Sequence, residues 1–277
     1  MQTFPAPAKL NLFLHVIGRR EDGYHLLQTV FRFLDFSDQL GFVLRNDSVI
    51  KLHTPIPGVP EENDLCVRAA KLLQQKSHQS FGVEIFLEKR IPMGGGLGGG
   101  SSDAATTLLV LNRLWGLNWT RAHLMELGLE LGADVPVFIY GENAFAEGVG
   151  EKLSAIALPP AWYLVLTPPV HVSTGQIFSS RELTRNTNPI KIPPFSIWQG
   201  RNDLAPVVCQ MYPVVARCLE WLKQLSNTTL VAMSGSGACV FAEFANELSA
   251  QNALRQLPDG MSGFVAKGLA CHPLRNF

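Results

Sequence analysis

The sequence has few of the features that mark several large classes of protein. Its five cysteines are scattered over 277 residues without CxxC spacing, which argues against a disulfide framework or a zinc site and favours a reducing compartment. Its 23 basic and 23 acidic residues cancel, so it lacks the basic excess of proteins that neutralise nucleic-acid phosphates. Its longest apolar runs, such as 162–166, are too short to cross a bilayer. We therefore expect small-molecule partners, with no nucleic acid, no membrane and no metal cluster.

The first residues, MQTFPAPAKLNLFL, contain no basic region followed by an apolar one, so no signal peptide is visible and we expect a cytoplasmic protein. Apolar residues make up 47% of the chain and charged residues 17%, which excludes intrinsic disorder. A chain of this length provides a core for one large domain or two ordinary ones.

Strand and helix periodicities are mixed along the chain, which predicts an α+β fold. Apolar residues alternate from Leu10 to Ile17, and this strand pattern puts Lys9 and Asn11 on one face. The stretch from Ser179 to Pro194 is polar and irregular, which predicts a long loop. Further strands are predicted at 26–34, 83–87, 161–167, 228–231, 239–244 and 263–266, and helices at 65–76, 108–115, 121–131 and from Asn202-Asp203 to about Leu225.

A glycine run, in which Gly94–Gly100 contains six glycines in seven residues, joins one predicted strand to an apolar helix. In that arrangement, bare backbone NH groups and the positive end of the helix dipole bind an anion, and missing Cβ atoms let phosphate oxygens approach the peptide nitrogens. Ser101 and Ser102 add hydroxyl donors at the helix entrance. The pattern therefore predicts a phosphate-binding loop.

Three other interpretations of this loop are possible. A Walker A loop needs GK[ST] at its end, and here the sequence is GGSSD. Gly94, Gly96 and Gly99 fit the GxGxxG spacing of a dinucleotide-binding loop, but no acidic residue occurs in the window 118–124, where that motif needs one. A flexible linker without a ligand is rarely bracketed by a strand and a strongly apolar helix.

The segment PMGGGLGGGSSDAA (92–105) resembles the phosphate loop of the GHMP kinases, a family that includes galactokinase, homoserine kinase and mevalonate kinase. Five more segments, PAPAKLNLFL, REDGYHLLQTVF, LGADVPVF, AFAEGVGE and SGSGACVFAEF, are similar to the branch of that family whose substrate carries cytidine diphosphate. The resemblance implies transfer of the γ-phosphate of ATP to an alcohol. It implies two α+β domains with the active site in their cleft: an ATP-binding domain at 1–152 and a substrate-binding domain at 153–277, whose C-terminal end packs on the first.

By the same resemblance, Lys9 and Asp134 are the catalytic pair. A base that accepts the hydroxyl proton of the alcohol contributes roughly 10² to 10⁴ in rate, and Asp134 is the candidate. Lys9 then holds that carboxylate ionised and stabilises charge at the transferred phosphate. Without the resemblance, an aspartate between Gly132 and Pro136 is more often a turn residue, and a lysine at position 9 more often a solvated strand end.

On the acceptor side the resemblance implies that His25 binds the edge of cytosine, with Tyr24 and Phe178 supplying aromatic surface. Without it, His25 is an ordinary loop histidine and Phe178 a core residue. The full predicted set is Asn11, Tyr24, His25, Thr174 and Phe178.

On the nucleotide side the resemblance assigns the phosphates to the glycine loop and places Lys89 and Asn63 beside the adenine pocket. Mg²⁺ is expected because it usually accompanies ATP, and Ser102 is a candidate ligand. The sequence itself shows no pair of carboxylates that would indicate a metal site. Gly235 and Gly237 form either a plain hairpin turn or a second loop near the transferred phosphate. The predicted ATP-binding residues are Pro92, Met93, Gly94, Gly95, Gly96, Leu97, Gly98, Gly99, Gly100, Ser101, Ser102, Lys89 and Asn63.

Two rival functions remain at this point. Another small-molecule kinase of the same family, of the homoserine or mevalonate type, would share the glycine loop, although the DGYH segment and Phe178 favour a cytidine-bearing substrate. A nucleotide-binding module without catalysis would need neither Lys9 nor Asp134.

Overall fold

The computed structural model describes residues 2–190 and 201–277, and these residues form two β-sheets with helices packed on them. In chain order the strands are β1 (Thr3–Arg19), β2 (His25–Arg45), β3 (Ile50–Leu52), β4 (Gly82–Glu88), β5 (Ala144–Glu147), β6 (Lys152–Ala155), β7 (Trp162–Leu166), β8 (Thr228–Met233), β9 (Val240–Phe244) and β10 (Gly263–Lys267). The helices are α1 (Leu65–Ser77), α2 (Gly99–Leu114), α3 (Arg121–Leu129), α4 (Val135–Tyr140), α5 (Thr174–Ser179), α6 (Ala205–Met211), α7 (Pro213–Gln224) and α8 (Glu247–Arg255). The predicted α+β class is confirmed.

The first sheet has the order β3-β4-β2-β5-β6, with β1 paired to β2 outside this path. Strand β2 extends to Arg45, well beyond the predicted end at residue 34, because its second half pairs with both the start of β1 and β4. Irregularities in the β1–β2 register between Pro7 and Lys9 and between Asn11 and Leu14 bracket Lys9 and Asn11. Such bulges re-aim side chains locally, and here they flank the residues that face the cavity.

Helices α1 to α4 cover the first sheet and form one core with it. Asp64 caps α1 through hydrogen bonds from the backbone nitrogens of Cys66 and Val67. Helix α2 is buried on all sides from Ser102 to Leu111, which places it at the centre of this core. It begins inside the glycine run, at Gly99, since Gly98 takes a left-handed conformation (φ 72°) at the N-cap.

The second sheet is antiparallel, with the order β10-β7-β9-β8, and it packs against α6, α7 and α8. A third core lies where the two sheets face each other, and it includes Phe13 and Val30 from the first sheet with Tyr163 and Phe241 from the second. Strand β1 contributes to all three cores along its length. Both halves of the molecule are therefore tied to one strand, and that strand carries Lys9 and Asn11.

Three predicted elements were wrong in detail. The helix predicted at 121–131 ends at Leu129, and a separate short helix, α4, follows Asp134. The helix predicted from Asn202 to about Leu225 is two helices, because Pro213 has no NH to donate and breaks the hydrogen-bond ladder. The predicted cap is partly right: Asn202 Oδ1 accepts from the backbone nitrogen of Leu204 (2.9 Å), but the N-cap itself is Leu204, and the carboxylate of Asp203 accepts from the backbone nitrogen of Val16.

Helix α8 was not predicted from the sequence. Asn246 caps it by accepting a hydrogen bond from the backbone nitrogen of Ser249. The predicted loop at 179–194 follows α5 and contains no helix or strand as far as residue 190, while 191–194 lies outside the described residues. None of the helices in the described ranges has the length and apolar content needed to span a bilayer.

Candidate active site

A cavity of about 700 Å³ opens between the glycine run, the start of β1, α5 and the β8–β9 loop. One end of the cavity is lined by the apolar side chains of Ile56, Val59 and Leu65, together with Asn63. A second apolar group, Val172 and Phe178, lies at α5. A concave site of this size with a few convergent polar groups is typical of small-molecule binding.

The ammonium of Lys9 has three polar partners in this cavity. It donates to Asn11 Oδ1 (2.6 Å) and to the carbonyl oxygen of Gly96 (3.0 Å), and it lies 3.2 Å from Asp134 Oδ2. The residue is 2% exposed, so its interpretation as a solvated strand end is wrong. Three acceptors match the three donors of an ammonium group, which fixes its position.

The amide of Asn11 is oriented by a chain of hydrogen bonds. Its Oδ1 accepts from Lys9, its Nδ2 donates to Thr29 Oγ1 (2.9 Å), and the Thr29 hydroxyl donates to the Phe13 carbonyl. Its backbone nitrogen donates to Ser234 Oγ (3.1 Å). These bonds hold the Asn11 side chain so that its Oδ1 accepts from the Lys9 ammonium.

Asp134 stands at the N-cap of α4, with Pro136 in the first turn of that helix. Its side chain is 36% exposed toward the cavity, and one of its oxygens contacts Lys9. A carboxylate in this position has one oxygen held by the lysine and room for a hydroxyl group of a ligand. The arrangement suits a proton acceptor, and it also agrees with a residue at the turn before α4.

The glycine run packs so closely that side chains are sterically excluded at several positions. A Cβ on Gly96 would lie 2.1 Å from the carbonyl oxygen of Ser234, and one on Gly94 would lie 2.3 Å from Nδ1 of His171. A Cβ on Gly98 would lie 3.0 Å from Cε of Lys9. The bare backbone is thus required by the protein's own packing as well as by any bound phosphate.

The β8–β9 connection, residues 234–239, contacts the glycine run directly. Cys239 N donates to the Gly95 carbonyl (3.1 Å), and Ser234 Oγ donates to the Gly96 carbonyl (2.8 Å). This segment is a hairpin connection, because β8 and β9 are antiparallel neighbours. Its residues Gly235 and Ser236 also form a second wall of the cavity. The two interpretations of Gly235 and Gly237 are therefore compatible.

A buried charge cluster supports the glycine run from behind. Lys89 Nζ donates to Asp103 (2.7 Å) and to Asp38, and the other oxygen of Asp38 accepts from the backbone nitrogens of Arg90 and Ile91. Burial raises the pKa of the Asp103 carboxyl. Lys89 lines the cavity, as predicted, but its ammonium is bound to two carboxylates, so it braces the start of α2 against the strand before the loop.

The end of the cavity near α5 contains Thr174 and Phe178. Thr174 Oγ1 is 2.7 Å from Ser236 Oγ, and the Phe178 ring lies 4.8 Å from the His25 ring, centroid to centroid. Arg185 Nε donates to His25 Nε2 (3.0 Å). Burial, followed by the charges of Arg185 and Arg19, lowers the pKa of His25, which keeps the ring neutral near pH 7.

The structure brings most of the predicted site residues to one cavity. Tyr24, His25 and Ser102 do not line it. Tyr24 is 63% exposed, His25 packs against Phe178, and Ser102 is fully buried with no hydrogen-bond partner for its hydroxyl among the described residues. The predicted residues that do line it are Lys9, Asn11, Asn63, Lys89, Pro92, Met93, Gly94, Gly95, Gly96, Leu97, Gly98, Gly99, Gly100, Ser101, Asp134, Thr174 and Phe178.

Sequence reasoning missed His171, Ser236 and Arg185, which lie in or beside the cavity. No local pattern marks them, since each is placed by a residue far away in the chain. His171 packs on Gly94, and Arg185 on His25. The prolines before His171 could have suggested a constrained turn, but not its neighbour.

Two family models match the chain, one for the GHMP kinases N terminal domain at residues 64–142 and one for the GHMP kinases C terminal at residues 195–263. The first spans the glycine run and Asp134, and the second spans the hairpin loop that packs on that run. The chain belongs to the GHMP kinase family and is an ATP-dependent kinase.

Its curated relatives narrow this class. The chain is 74% identical over 273 residues to a 4-diphosphocytidyl-2-C-methyl-D-erythritol kinase of Nitrosospira multiformis, covering 99% of this chain and 93% of the relative. It is 68% identical to the protein of that name from Nitrosomonas eutropha, with 100% of both chains covered. The chain is thus similar to 4-diphosphocytidyl-2-C-methyl-D-erythritol kinases over almost its full length.

Solved structures agree with this similarity. A crystal structure of 4-(cytidine 5'-diphospho)-2C-methyl-D-erythritol kinase matches with a TM-score of 0.84 at 34% identity, covering 96% of this chain and 99% of the other. Homoserine kinase from Cytophaga hutchinsonii matches with a TM-score of 0.66 at 15% identity, covering 98% of this chain and 94% of the other. At that identity the second match shows a shared fold only.

Proposed function

We propose that this protein phosphorylates the 2-hydroxyl of 4-diphosphocytidyl-2-C-methyl-D-erythritol with ATP, a step of the non-mevalonate route to isoprenoid precursors. The relatives that bear this substrate in their name are similar over the full length of the chain. The observation that carries the proposal is the contact of Lys9 with both Asp134 and the glycine run, which puts a candidate base beside a candidate triphosphate site.

The triphosphate binds along residues 94–101, where the glycine run and the first residues of α2 line the cavity. The cavity lining there consists of glycine, Leu97 and Ser101, which supports close approach of phosphate oxygens. The apolar end near Ile56 and Val59, with Asn63 and Lys89 at its border, accepts the adenine. Phosphoryl transfer depends mostly on such positioning and on charge stabilisation.

Asp134 accepts the proton of the attacking hydroxyl, and Lys9 stabilises the charge that develops at the acceptor oxygen and the transferred phosphate. The Lys9 ammonium lies 3.2 Å from Asp134 Oδ2, which leaves the other carboxylate oxygen for the hydroxyl. Asn11 keeps the ammonium in place through its Oδ1. The proton leaves the hydroxyl for Asp134 as the oxygen forms its bond to phosphorus and the bond to ADP breaks.

The cytidine end of the substrate lies near α5. Phe178 offers an aromatic face and Thr174 a hydroxyl for the base. Tyr24 and His25 stay predictions, since neither ring belongs to the cavity lining. The division of the chain into an ATP-binding part at 1–152 and a substrate-binding part at 153–277 also stays a prediction.

A Mg²⁺ ion bound with ATP would stabilise the negative charge of the phosphates. On the protein side the Ser101 hydroxyl would be the available ligand, because Ser101 lines the cavity at the start of α2 whereas Ser102 is buried. The described residues contain no group of three or more His, Cys, Asp or Glu side chains suited to hold a metal. A cytoplasmic location and the lack of a nucleic-acid partner stay predictions.

The test is an ATP-consumption assay with a panel of alcohols, each with and without a cytidine diphosphate handle. We expect turnover with the cytidine-linked polyol, and little with free methylerythritol, homoserine or mevalonate. Preferred use of homoserine or mevalonate would contradict the proposed substrate. ATP binding without turnover on any alcohol would instead indicate a nucleotide-binding module.

A further inference from the structure

His171 lies in the segment between β7 and α5. Its side chain is exposed and belongs to the cavity lining, whereas the next residue, Val172, is buried in the core of the second sheet. The preceding residue, Val170, packs against the same core, and its backbone nitrogen donates to the Pro168 carbonyl (2.8 Å). Two anchored neighbours therefore fix the backbone of His171 at the cavity.

The His171 ring packs on the first glycine of the run. A Cβ on Gly94 would lie 2.3 Å from Nδ1 and 2.7 Å from Cε1 of His171, so this edge of the ring rests on the bare Cα. Neither ring nitrogen has a hydrogen-bond partner among residues 2–190 and 201–277. Three residues later, Thr174 Oγ1 is hydrogen-bonded to Ser236 Oγ of the β8–β9 hairpin. The segment 171–174 thus joins the glycine run to the hairpin and carries an imidazole with unused polar atoms.

The charges around the cavity give this imidazole a particular importance. Three basic side chains line the cavity in the part of the chain that the structure describes, and two of them are already paired: Lys9 contacts Asp134, and Lys89 is bound to two buried aspartates. The third is His171, which contacts no carboxylate there. The proposed reaction brings a diphosphate and a triphosphate into the same cavity. Such anions need donors or opposite charges when they leave water, so an unpaired basic group at the cavity surface suits one of them.

We propose that His171 binds the diphosphate of the cytidine-linked substrate and is a further specificity-determining residue of this site. The diphosphate connects the cytidine, which we place near α5, with the polyol, whose hydroxyl faces Asp134. His171 lies on the α5 side of that path, in the segment that also carries Thr174, whereas the triphosphate of ATP faces Lys9 and the start of α2. An imidazole NH donates to a phosphate oxygen, and hydrogen bonds to an ionised acceptor are stronger than neutral ones. This inference rests on the proposed function, since it concerns the same substrate.

A competing explanation is that the ring only packs on Gly94 and thereby holds the glycine run. Two substitutions separate the explanations. His171→Phe keeps an aromatic ring but has no polar atom, and His171→Gln keeps a hydrogen-bond donor but has no ring. Packing alone predicts that the glutamine variant is the more damaged of the two, and diphosphate binding predicts the reverse.

The kinetic experiment compares these variants with the wild-type protein. We expect His171→Phe to raise KM for the cytidine-linked substrate roughly tenfold to a hundredfold, as for the loss of a hydrogen bond to a charged group, with little change in KM for ATP. His171→Lys should restore part of the affinity, because an ammonium also donates to phosphate. His123→Phe, at an exposed histidine outside the cavity lining, is the matched control and should leave both KM values unchanged.

Binding of shortened ligands assigns the effect to the diphosphate and needs no turnover. Calorimetry measures the affinity of cytidine and of cytidine diphosphate for the wild-type protein and for His171→Phe. We expect the substitution to weaken the binding of cytidine diphosphate by a factor close to that found for the substrate, and to leave the binding of cytidine unchanged. Equal weakening of both ligands would contradict a contact with the diphosphate.

Three kinetic results would overturn the inference. They are an unchanged KM for the cytidine-linked substrate in His171→Phe, a glutamine variant more damaged than the phenylalanine variant, and a larger rise in KM for ATP than for that substrate, which would assign the ring to the triphosphate. Failure of the wild-type protein to use the cytidine-linked substrate is a different result: it would overturn the proposed function, and this inference with it.

Discussion

Lys9 shows how much of this site depends on single residues. It is almost fully buried, and burying a charge is costly unless the charge is paired and hydrogen-bonded. Its three acceptors come from β1, from the glycine run and from the turn before α4. Removing any of them leaves the ammonium with an unused donor, so substitutions here should act as one unit.

Asp134→Asn tests the role of the carboxylate. We expect kcat to fall by roughly 10² to 10⁴, because the amide cannot accept the hydroxyl proton, while ATP binding measured by calorimetry stays nearly intact. Adding Lys9→Met to Asp134→Asn should cost much less than the two single losses combined, since the residues work together.

The control for this pair is Asp259→Asn, which replaces an exposed aspartate far along the chain and should leave turnover unchanged. Normal turnover in Asp134→Asn would remove Asp134 from the role of base. A large loss of ATP affinity in the same variant would show that the carboxylate serves nucleotide binding.

At the scale of elements, the glycine run is held between the β8–β9 hairpin and the start of α2. Hydrogen bonds from Cys239 and Ser234 tie it to the hairpin, and the Lys89 cluster ties α2 to the strand before it. A loop fixed from both sides keeps its NH groups in place before a ligand arrives. Such preorganisation lowers the cost of binding.

Gly96→Ala should displace this loop. Its Cβ would lie 2.1 Å from the Ser234 carbonyl oxygen, and its φ of +75° is already unfavourable for alanine. We expect a lower Tm and a raised KM for ATP, measured by thermal unfolding and by kinetics.

Gly116→Ala is a matched control, because Gly116 has a similar φ of +68° with nothing near its Cβ position. It should cost only the backbone strain, roughly 1–2 kcal/mol, and leave KM for ATP unchanged. Equal behaviour of the two variants would mean that the contact with Ser234 does not matter.

At the scale of the whole molecule, the C-terminal segment returns to the first sheet. Arg121 donates to the carbonyls of Leu274 and Arg275, His272 N donates to the Gly141 carbonyl, and the Phe277 ring packs edge-on against Phe4. The His272 ring is buried, with Nδ1 accepting from Leu274 N at 3.0 Å. The last residues thus close the core that surrounds α2.

Acid should loosen this closure. Burial, with a smaller effect of Arg121, lowers the pKa of His272 to about 3, below its usual 6.5. The folded state therefore binds fewer protons than the unfolded chain between these values, so this contribution to stability is complete above about pH 6.5 and is lost as pH falls toward 3. We expect the free energy of unfolding to fall below pH 6.5, by at most about 1.4 kcal/mol per pH unit from this residue.

The measurement is urea unfolding at a series of pH values. His272→Asn should flatten the slope below pH 6.5 whatever its absolute stability, and His78→Asn, at an exposed histidine in a left-handed position that suits asparagine, should not. An unchanged slope in His272→Asn would contradict the assignment.

Local patterns in the sequence were enough to predict the α+β class, the strand that carries Lys9 and Asn11, and the glycine run between a strand and a helix. These features depend on periodicity and on the absence of side chains, which the neighbouring residues determine. The break at Pro213 was also visible in the sequence, since proline cannot continue a helix. The predicted single helix overlooked it.

Only the tertiary structure decided which distant groups meet. Lys89 lies against Asp38 and Asp103, and Arg185 against His25 across 160 positions of chain. The contact of Lys9 with Asp134 was expected from the family resemblance and from no local pattern. Each of these contacts depends on strand register, bulges and the packing of two sheets, which no local pattern specifies. A charge can lie beside any other that the fold brings within reach, and a single sequence does not show which pairs those are.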